Sequence, residues 1–372
     1  MNKEFSCRLE KIEASLNAAL SFSIEEEWKK NSFGKLPESV KKEHIMNLVE
    51  PNKNLVDLGG KRWRPLLLIL CYELAKENGR NALTEEQAYA LTPLVEFVHT
   101  ASLIHDDIED SSQVRRGKPA AYLTYGLDTA LNAAAWLYFE APVCIKTAGL
   151  SDESQIAFYN LYTNELRRLH LGQAMDIYWH RNKNLFPTIE EYKAMVKCKT
   201  GTLASLAAQT GFIAGGEAKK ASEIGEIAAN IGMGFQIIDD VQNLSTGNPG
   251  KKRGDDIVEG KKSLPVLIHI EQNPQNKEKI AALFEKASKE GIESSAVEEC
   301  IQLLEKSGSI RKAAATGIEL IHTNCTLFKN YSTQKAVEKS NVTSEKQIEE
   351  STAQAAALIN ILFDSMIPGG IV

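Results

Sequence analysis

Four acids crowd into five positions at Asp106, Asp107, Glu109 and Asp110, at the end of an apolar run, and Arg115 and Arg116 follow closely. Asp106 and Asp110 are four residues apart, so a helix would stack their carboxylates one turn apart on one face. Like charges at that spacing destabilise a bare helix, which calls for a cation between them. Mg²⁺ commonly sits on one or two carboxylates, with substrate phosphates completing its shell. Alone, the cluster reads as a solvated acidic helix end. A second cluster changes the balance: Asp239 and Asn243 repeat the four-residue spacing, with Asp240 beside the first.

Basic residues gather near these acids in sequence. Gly59-Gly60-Lys61-Arg62-Trp63-Arg64-Pro65 precedes the apolar run Leu66–Leu70. Proline suits a first helical turn, so the lysine and arginines belong at a helix amino end, where backbone N–H groups favour anions. Lys197, Lys199 and Thr200 fall in or near the end of a helix opened by Thr188, with Glu191 three positions on as a capping box. Lys251, Lys252 and Arg253, then Glu259-Gly260-Lys261-Lys262, sit on a glycine-punctuated loop of the kind a flexible phosphate cover needs.

The elements that must position these residues read as helices. Phe5, Leu9, Ile12 and Leu16 recur at helical spacing in the first fifty residues, and Pro51 should break the chain. Residues 84–105 should form one long apolar helix, 120–148 a buried one, and 151–180 another. A helix from Ala218 carries the second acid cluster to Asn243, and helical pattern resumes after Pro265 to about Tyr331. Residues 332–350 are polar, and 353–367 form a last amphipathic segment. No alternating run insists on a strand. The pattern predicts an all-α fold of about ten or more helices packed as a bundle, with one domain over residues 1–331 and a segment of open role over 332–372.

The 372 residues, 43% hydrophobic and 25% charged, suit a globular chain with a sizeable core, and a net charge of −6 gives no reason to expect nucleic acid. Six scattered cysteines without metal spacing read as reduced thiols of a cytoplasmic protein. The amino terminus carries no apolar run of signal-peptide length, and no stretch approaches membrane-spanning length. The amphipathic end could dock on the bundle, mediate assembly or touch a membrane.

In order, GGKRxRP, HxxSLxHDDxxD with RRG, GQxxD, KT, FQxxDD and GK…D…EGK cover residues 59–265. This succession resembles the trans-isoprenyl diphosphate synthases, and the DDxxN form of the second acid motif resembles the eukaryotic-type geranylgeranyl diphosphate synthases. The resemblance implies an isoprenoid synthase bundle around a central cavity, usually homodimeric. It also implies condensation of an allylic diphosphate with isopentenyl diphosphate, assisted by more than one Mg²⁺ ion. On that basis Asp106 and Asp110 hold Mg²⁺ from one side and Asp239 from the other, with Asp107 and Asp240 in support. Arg115, Lys199, Thr200, Gln236, Lys251 and Lys261 would surround the allylic diphosphate. Lys61, Arg64, His99 and Arg116 would hold isopentenyl diphosphate. The departing diphosphate can take the final proton, so no protein base is needed.

Chain length follows from what blocks the growing tail. Farnesyl synthases often carry aromatics four and five residues before the first aspartate; here these are Ser102 and Ala101, both small. Ala101 would lie about 7–8 Å below Asp106 along a helix, so a product beyond fifteen carbons should pass. By resemblance the floor passes to Tyr138, Phe139 and His170, and geranylgeranyl diphosphate (C20) is the leading product. A longer-chain polyprenyl synthase, a class I terpene cyclase and a non-catalytic subunit of a synthase heterodimer are the rival readings.

Overall fold

The computed structural model describes residues 3–76, 81–247, 252–338 and 345–368. The fold is all-α. The one pair of strands among the described residues is a two-residue ladder, Val114–Arg115 against Lys118–Pro119. It closes the turn that carries Arg115 and Arg116. Among the described residues no helix is long and apolar enough to cross a membrane.

The chain divides into two compact units. The first comprises residues 1–164, 206–225 and 340–356; the second comprises 165–205, 226–339 and 357–372.

In the first unit, three expected breaks and continuities are corrected. Pro51 does not end a helix: it lies inside Lys42–Asp57. Proline removes one internal N–H donor, yet the helix runs on through it, and the next residue, Asn52, is tied in by Nδ2 bonds to Leu48 O at 2.9 Å and Ala133 O at 2.7 Å. The expected 84–105 helix is two, Glu85–Ala90 and Pro93–Glu109, because Pro93 starts a new first turn. The expected 120–148 helix is three, Ala121–Tyr125, Leu127–Glu140 and Val143–Thr147. Gly126, at φ 89°, makes the first break and Pro142 caps the start of the last helix.

The second unit is built on the end of Asp152–Arg181, then Ile189–Val196, most of Ala218–Ser245, and the helices Leu264–Gln272, Lys277–Glu290, Ser295–Lys306 and Ser309–Glu338. Thr188 caps the second of these, with its hydroxyl accepting from Glu191 N and Glu191 reaching back, as the capping pattern requires. Tyr192, Val196, Ile237, Val241, Leu264, Phe284 and Ile301 lie in one apolar core. The helix Ser309–Glu338 continues past residue 331, and the last described helix is Glu345–Asp364. Phe363 is fully buried against Phe235 at 5.7 Å and Phe328 at 6.3 Å between ring centroids. Its burial docks the helix Glu345–Asp364 on these two rings.

Candidate active site

The apolar face of Pro93–Glu109 delivers the first acids to a helix carboxyl end. Asp110 is the C-cap residue, and its N–H still bonds Asp106 O at 2.8 Å, so the two side chains keep their one-turn relation. The carboxyl end of a helix already carries partial negative charge, which adds to the need for a cation. Asp107 points elsewhere. It is 1% exposed, and both Nε and Nη2 of Arg115 donate to its Oδ1, the first at 2.9 Å. Arg115 also lies 3.9 Å from Asp106. Asp107 therefore orients Arg115 at the edge of the Asp106 carboxylate.

Three of the four residues expected to bind isopentenyl diphosphate converge in this unit. Arg64 Nη1 lies 3.3 Å from His99 Nε2. A guanidinium can only donate, so Nε2 is the acceptor and the imidazole is neutral with its proton on Nδ1. Burial and the charges of Arg64, Arg116 and Arg115 hold His99 well below its ordinary range, in agreement. Burial and Arg116 lower Arg64 to about 10 despite the charge of Glu96. Its Nε is buried with no hydrogen-bond partner among the described residues. Arg116 donates to Leu55 O at 3.1 Å and lies over Gly60, where an added Cβ would stand 3.1 Å from its Nη2. Lys61 is exposed on the same turn.

Arg62, between Lys61 and Arg64, has a different task. Its side chain is buried, pairs with Glu96 at 2.6 Å and Glu13 at 2.7 Å, and donates to Val56 O at 2.6 Å. It anchors the basic turn, and with φ 47° it bends the backbone there. Sequence reasoning passed over it, although Glu96, an acid inside an apolar run, is a signal for a buried partner.

In the second unit, Lys199 and Thr200 lie on a π-helical turn, Lys197–Gly201, which interrupts the path from Ile189–Val196 into Thr202–Ala214. Such single-turn bulges often mark functional sites. Gly172 permits the turn to approach: a Cβ there would be 2.3 Å from Lys199 N. Lys199 Nζ donates to Asp176 Oδ2 at 2.6 Å, so the aspartate of the Gly-Gln motif joins the site although it was not among the expected binding residues.

Asp239 is exposed on its helix, whereas Asp240 is 6% exposed and accepts from Tyr192 at 2.6 Å and Gln236 at 3.0 Å. Burial pushes Asp240 up to about 6 while those two donors pull it back. Thr200 donates to Gln236 Oε1 at 2.9 Å, linking the π turn to the acid helix. Lys261 stands 2.6 Å from Glu259 and 3.6 Å from Asp256.

Asn243 faces inward. It is 0% exposed, its Oδ1 accepts from Asp256 N at 3.3 Å, and its backbone carbonyl accepts from Gly254 N at 3.0 Å. Its side-chain oxygen thus pins the loop. In that loop Lys252 pairs with Glu293, and Arg253 with Glu298 and Glu305. Lys251 lies outside the described residues.

The expected floor residues differ in exposure. Ala101 is 0% exposed and Ser102 donates to His99 O. Tyr138 is buried beside His105, whereas Phe139 is 78% exposed and His170, in the second unit, is exposed.

Among the described residues, no three acidic, histidine or cysteine side chains converge to cage a metal by themselves. The Asp106–Asp110 pair suits instead the partial shell of a Mg²⁺ ion that arrives with phosphate oxygens. The orphaned Arg64 Nε suits an anion.

A polyprenyl synthetase family model matches residues 46–304, and the chain belongs to that family. It is 34% identical to a geranylgeranyl pyrophosphate synthase of Penicillium paxilli over 236 residues, 63% of this chain and 60% of the relative. The match therefore spans three-fifths of that curated relative's length. Among solved structures, the geranylgeranyl pyrophosphate synthetase of Pyrococcus horikoshii superposes with a TM-score of 0.71 at 26% identity, covering 96% of this chain and 97% of the other. The heptaprenyl diphosphate synthase of Staphylococcus aureus gives 0.68 at 25% identity, covering 96% and 98%.

Proposed function

We propose that the chain condenses an allylic diphosphate with isopentenyl diphosphate and makes geranylgeranyl diphosphate. The convergence of Arg64, His99 and Arg116 around a buried, unsatisfied Arg64 Nε carries the reading. A second diphosphate needs such a cation cluster; a cyclase, which ionises one substrate, does not. Family membership and the relatives named for geranylgeranyl synthesis support the product.

In this reading Asp106, Asp110 and Asp239 hold Mg²⁺, which supplies charge neutralisation to the leaving diphosphate when bound. Arg115, held by Asp107, and Lys199, held by Asp176, steady the allylic diphosphate, together with Thr200, Gln236, Lys251 and Lys261. Lys61, Arg64, His99 and Arg116 orient isopentenyl diphosphate so that its double bond attacks the allylic carbon. The departing diphosphate takes the proton lost from the new chain.

A homodimer fits the exposed apolar side chains Leu127, Leu131 and Phe139 on one helix and Ile156 on the next long one. The six free cysteines support a cytoplasmic setting.

The test is product chromatography of purified protein with Mg²⁺, farnesyl diphosphate and isopentenyl diphosphate. The expected product is C20, and Asp106→Asn should lower kcat by about 10²–10³-fold, as loss of a charge-stabilising group typically does. Longer products would favour a polyprenyl synthase. Diphosphate release without isopentenyl diphosphate would favour a cyclase, and no turnover would favour a regulatory subunit.

A further inference from the structure

The Asp240 carboxylate is fixed by a side chain that has no place among the substrate-binding residues. Tyr192 is 2% exposed on the helix Ile189–Val196, and its hydroxyl donates to Asp240 Oδ2 at 2.6 Å. The backbone amide of Leu264 faces the same phenol oxygen. Leu264 opens the helix Leu264–Gln272, three residues beyond Lys261. One phenol oxygen thereby ties its own helix to the helix of the second acid motif, beside the start of the helix that follows Lys261.

We infer that Tyr192 is a positioning residue for the allylic diphosphate site, acting through Asp240, Gln236 and Lys261; this rests on the role proposed for those residues above. Asp240 Oδ1 is taken by Gln236 Nε2 at 3.0 Å, and Gln236 Oε1 accepts from Thr200 at 2.9 Å. The line Tyr192–Asp240–Gln236–Thr200 therefore fixes which way the Gln236 amide faces. Phenylalanine would fill the same apolar space but leave a buried carboxylate oxygen without its donor, an arrangement that costs more than the hydrogen bond itself contributes. The carboxylate would then recruit the nearest donors, the Gln236 amide and the Lys261 ammonium, and draw both from diphosphate. Burial and Asp240 keep the phenol protonated, so it remains a donor at neutral pH.

The experiment is steady-state kinetics of the full chain carrying Tyr192→Phe, with Mg²⁺ and both substrates, alongside thermal unfolding. The KM for the allylic diphosphate should rise about tenfold, the loss expected of one charge-assisted hydrogen bond. The KM for isopentenyl diphosphate should stay within about twofold. In the double variant with Asp240→Asn, the two losses should fall short of adding. Wild-type kinetics in Tyr192→Phe would overturn the inference. So would an equal rise in both KM values with a lowered melting temperature, which a merely structural role would give. If Tyr192→Phe fails to fold, Asp240→Asn alone should show the same selective rise, and its absence would overturn the inference equally. A wild-type protein that forms no isopentenyl-dependent product sinks the proposed function itself, whereas an active wild type with an unaltered variant sinks only the role of Tyr192.

Discussion

The Tyr138 ring lies against the His105 ring, with centroids 5.5 Å apart and planes 28° apart. Burial and the charges of Glu109 and Asp106 raise the Tyr138 pKa, so the phenol stays protonated. Tyr162 donates to the Tyr138 carbonyl and fixes the backbone behind it. Tyr138 thus stands level with the acid turn, one helical turn beyond Ala101.

That position makes the length assignment testable. Tyr138→Ala should open space beside His105 and give products longer than C20, and His170→Ala should do the same if it shares the floor. The measurement is reversed-phase chromatography of dephosphorylated products. Unchanged length in both variants would return control of length to other residues.

The buried Arg62–Glu96 pair should be expensive to break. Removing one partner of such a pair leaves an uncompensated charge, at a cost of about 3–5 kcal/mol. Glu96→Ala should therefore lower stability by that amount in denaturant titration. It should also raise the KM for isopentenyl diphosphate, because Arg62 anchors the turn between Lys61 and Arg64.

Glu140 predicts a pH signature. It is 4% exposed, beside the Trp28–Phe33–Trp136 aromatic cluster; Ser32 donates to it at 2.6 Å, and burial pushes it up to about 7. A raised carboxyl keeps its proton in the folded chain where the unfolded chain has lost it. The folded state then binds more protons, and stability falls as pH rises from the unfolded value to about 7, then levels off. Glu140→Gln should remove this slope. Its melting temperature relative to wild type should climb between pH 5 and 7 and stay constant above, by an amount corresponding to about 3 kcal/mol.

The end of the chain should matter through one ring. Phe363→Ala removes contacts with Phe235 and Phe328, and loss of a buried phenylalanine costs about 3–5 kcal/mol. Phe235 precedes Gln236 directly, so kcat should fall along with the unfolding midpoint. A variant with wild-type stability would mean that the last described helix is not packed on these two rings.

Much of the site was legible because its signals are local. The Asp106/Asp110 spacing, the Thr188–Glu191 cap and the Pro65 helix start are read from residues within a few positions of each other. What escaped depends on distant partners. Pro51 looked like a breaker, but the helix Lys42–Asp57 runs through it, and the contact of Asn52 with Ala133 beside it cannot be seen in sequence. The anchoring role of Arg62 went unread because Glu13 and Glu96 meet it only in the fold. Arg253 looked like part of a phosphate cover, yet Glu298 and Glu305 on a later helix take it. Asn243 kept the spacing of a ligand while its oxygen went to the Asp256 amide.

The widened turn at Lys197–Gly201 has a consequence for insertions and deletions. Each residue of an α-helix turns the chain by about 100°, at 3.6 residues per turn. Removing one residue between Val196 and Lys199 would restore a regular helix and leave every side-chain type in place. It would also swing Lys199 away from Asp176 by that angle. Residue count through this stretch therefore carries information that residue identity does not, and a chain one residue shorter here would keep every motif while losing the arrangement.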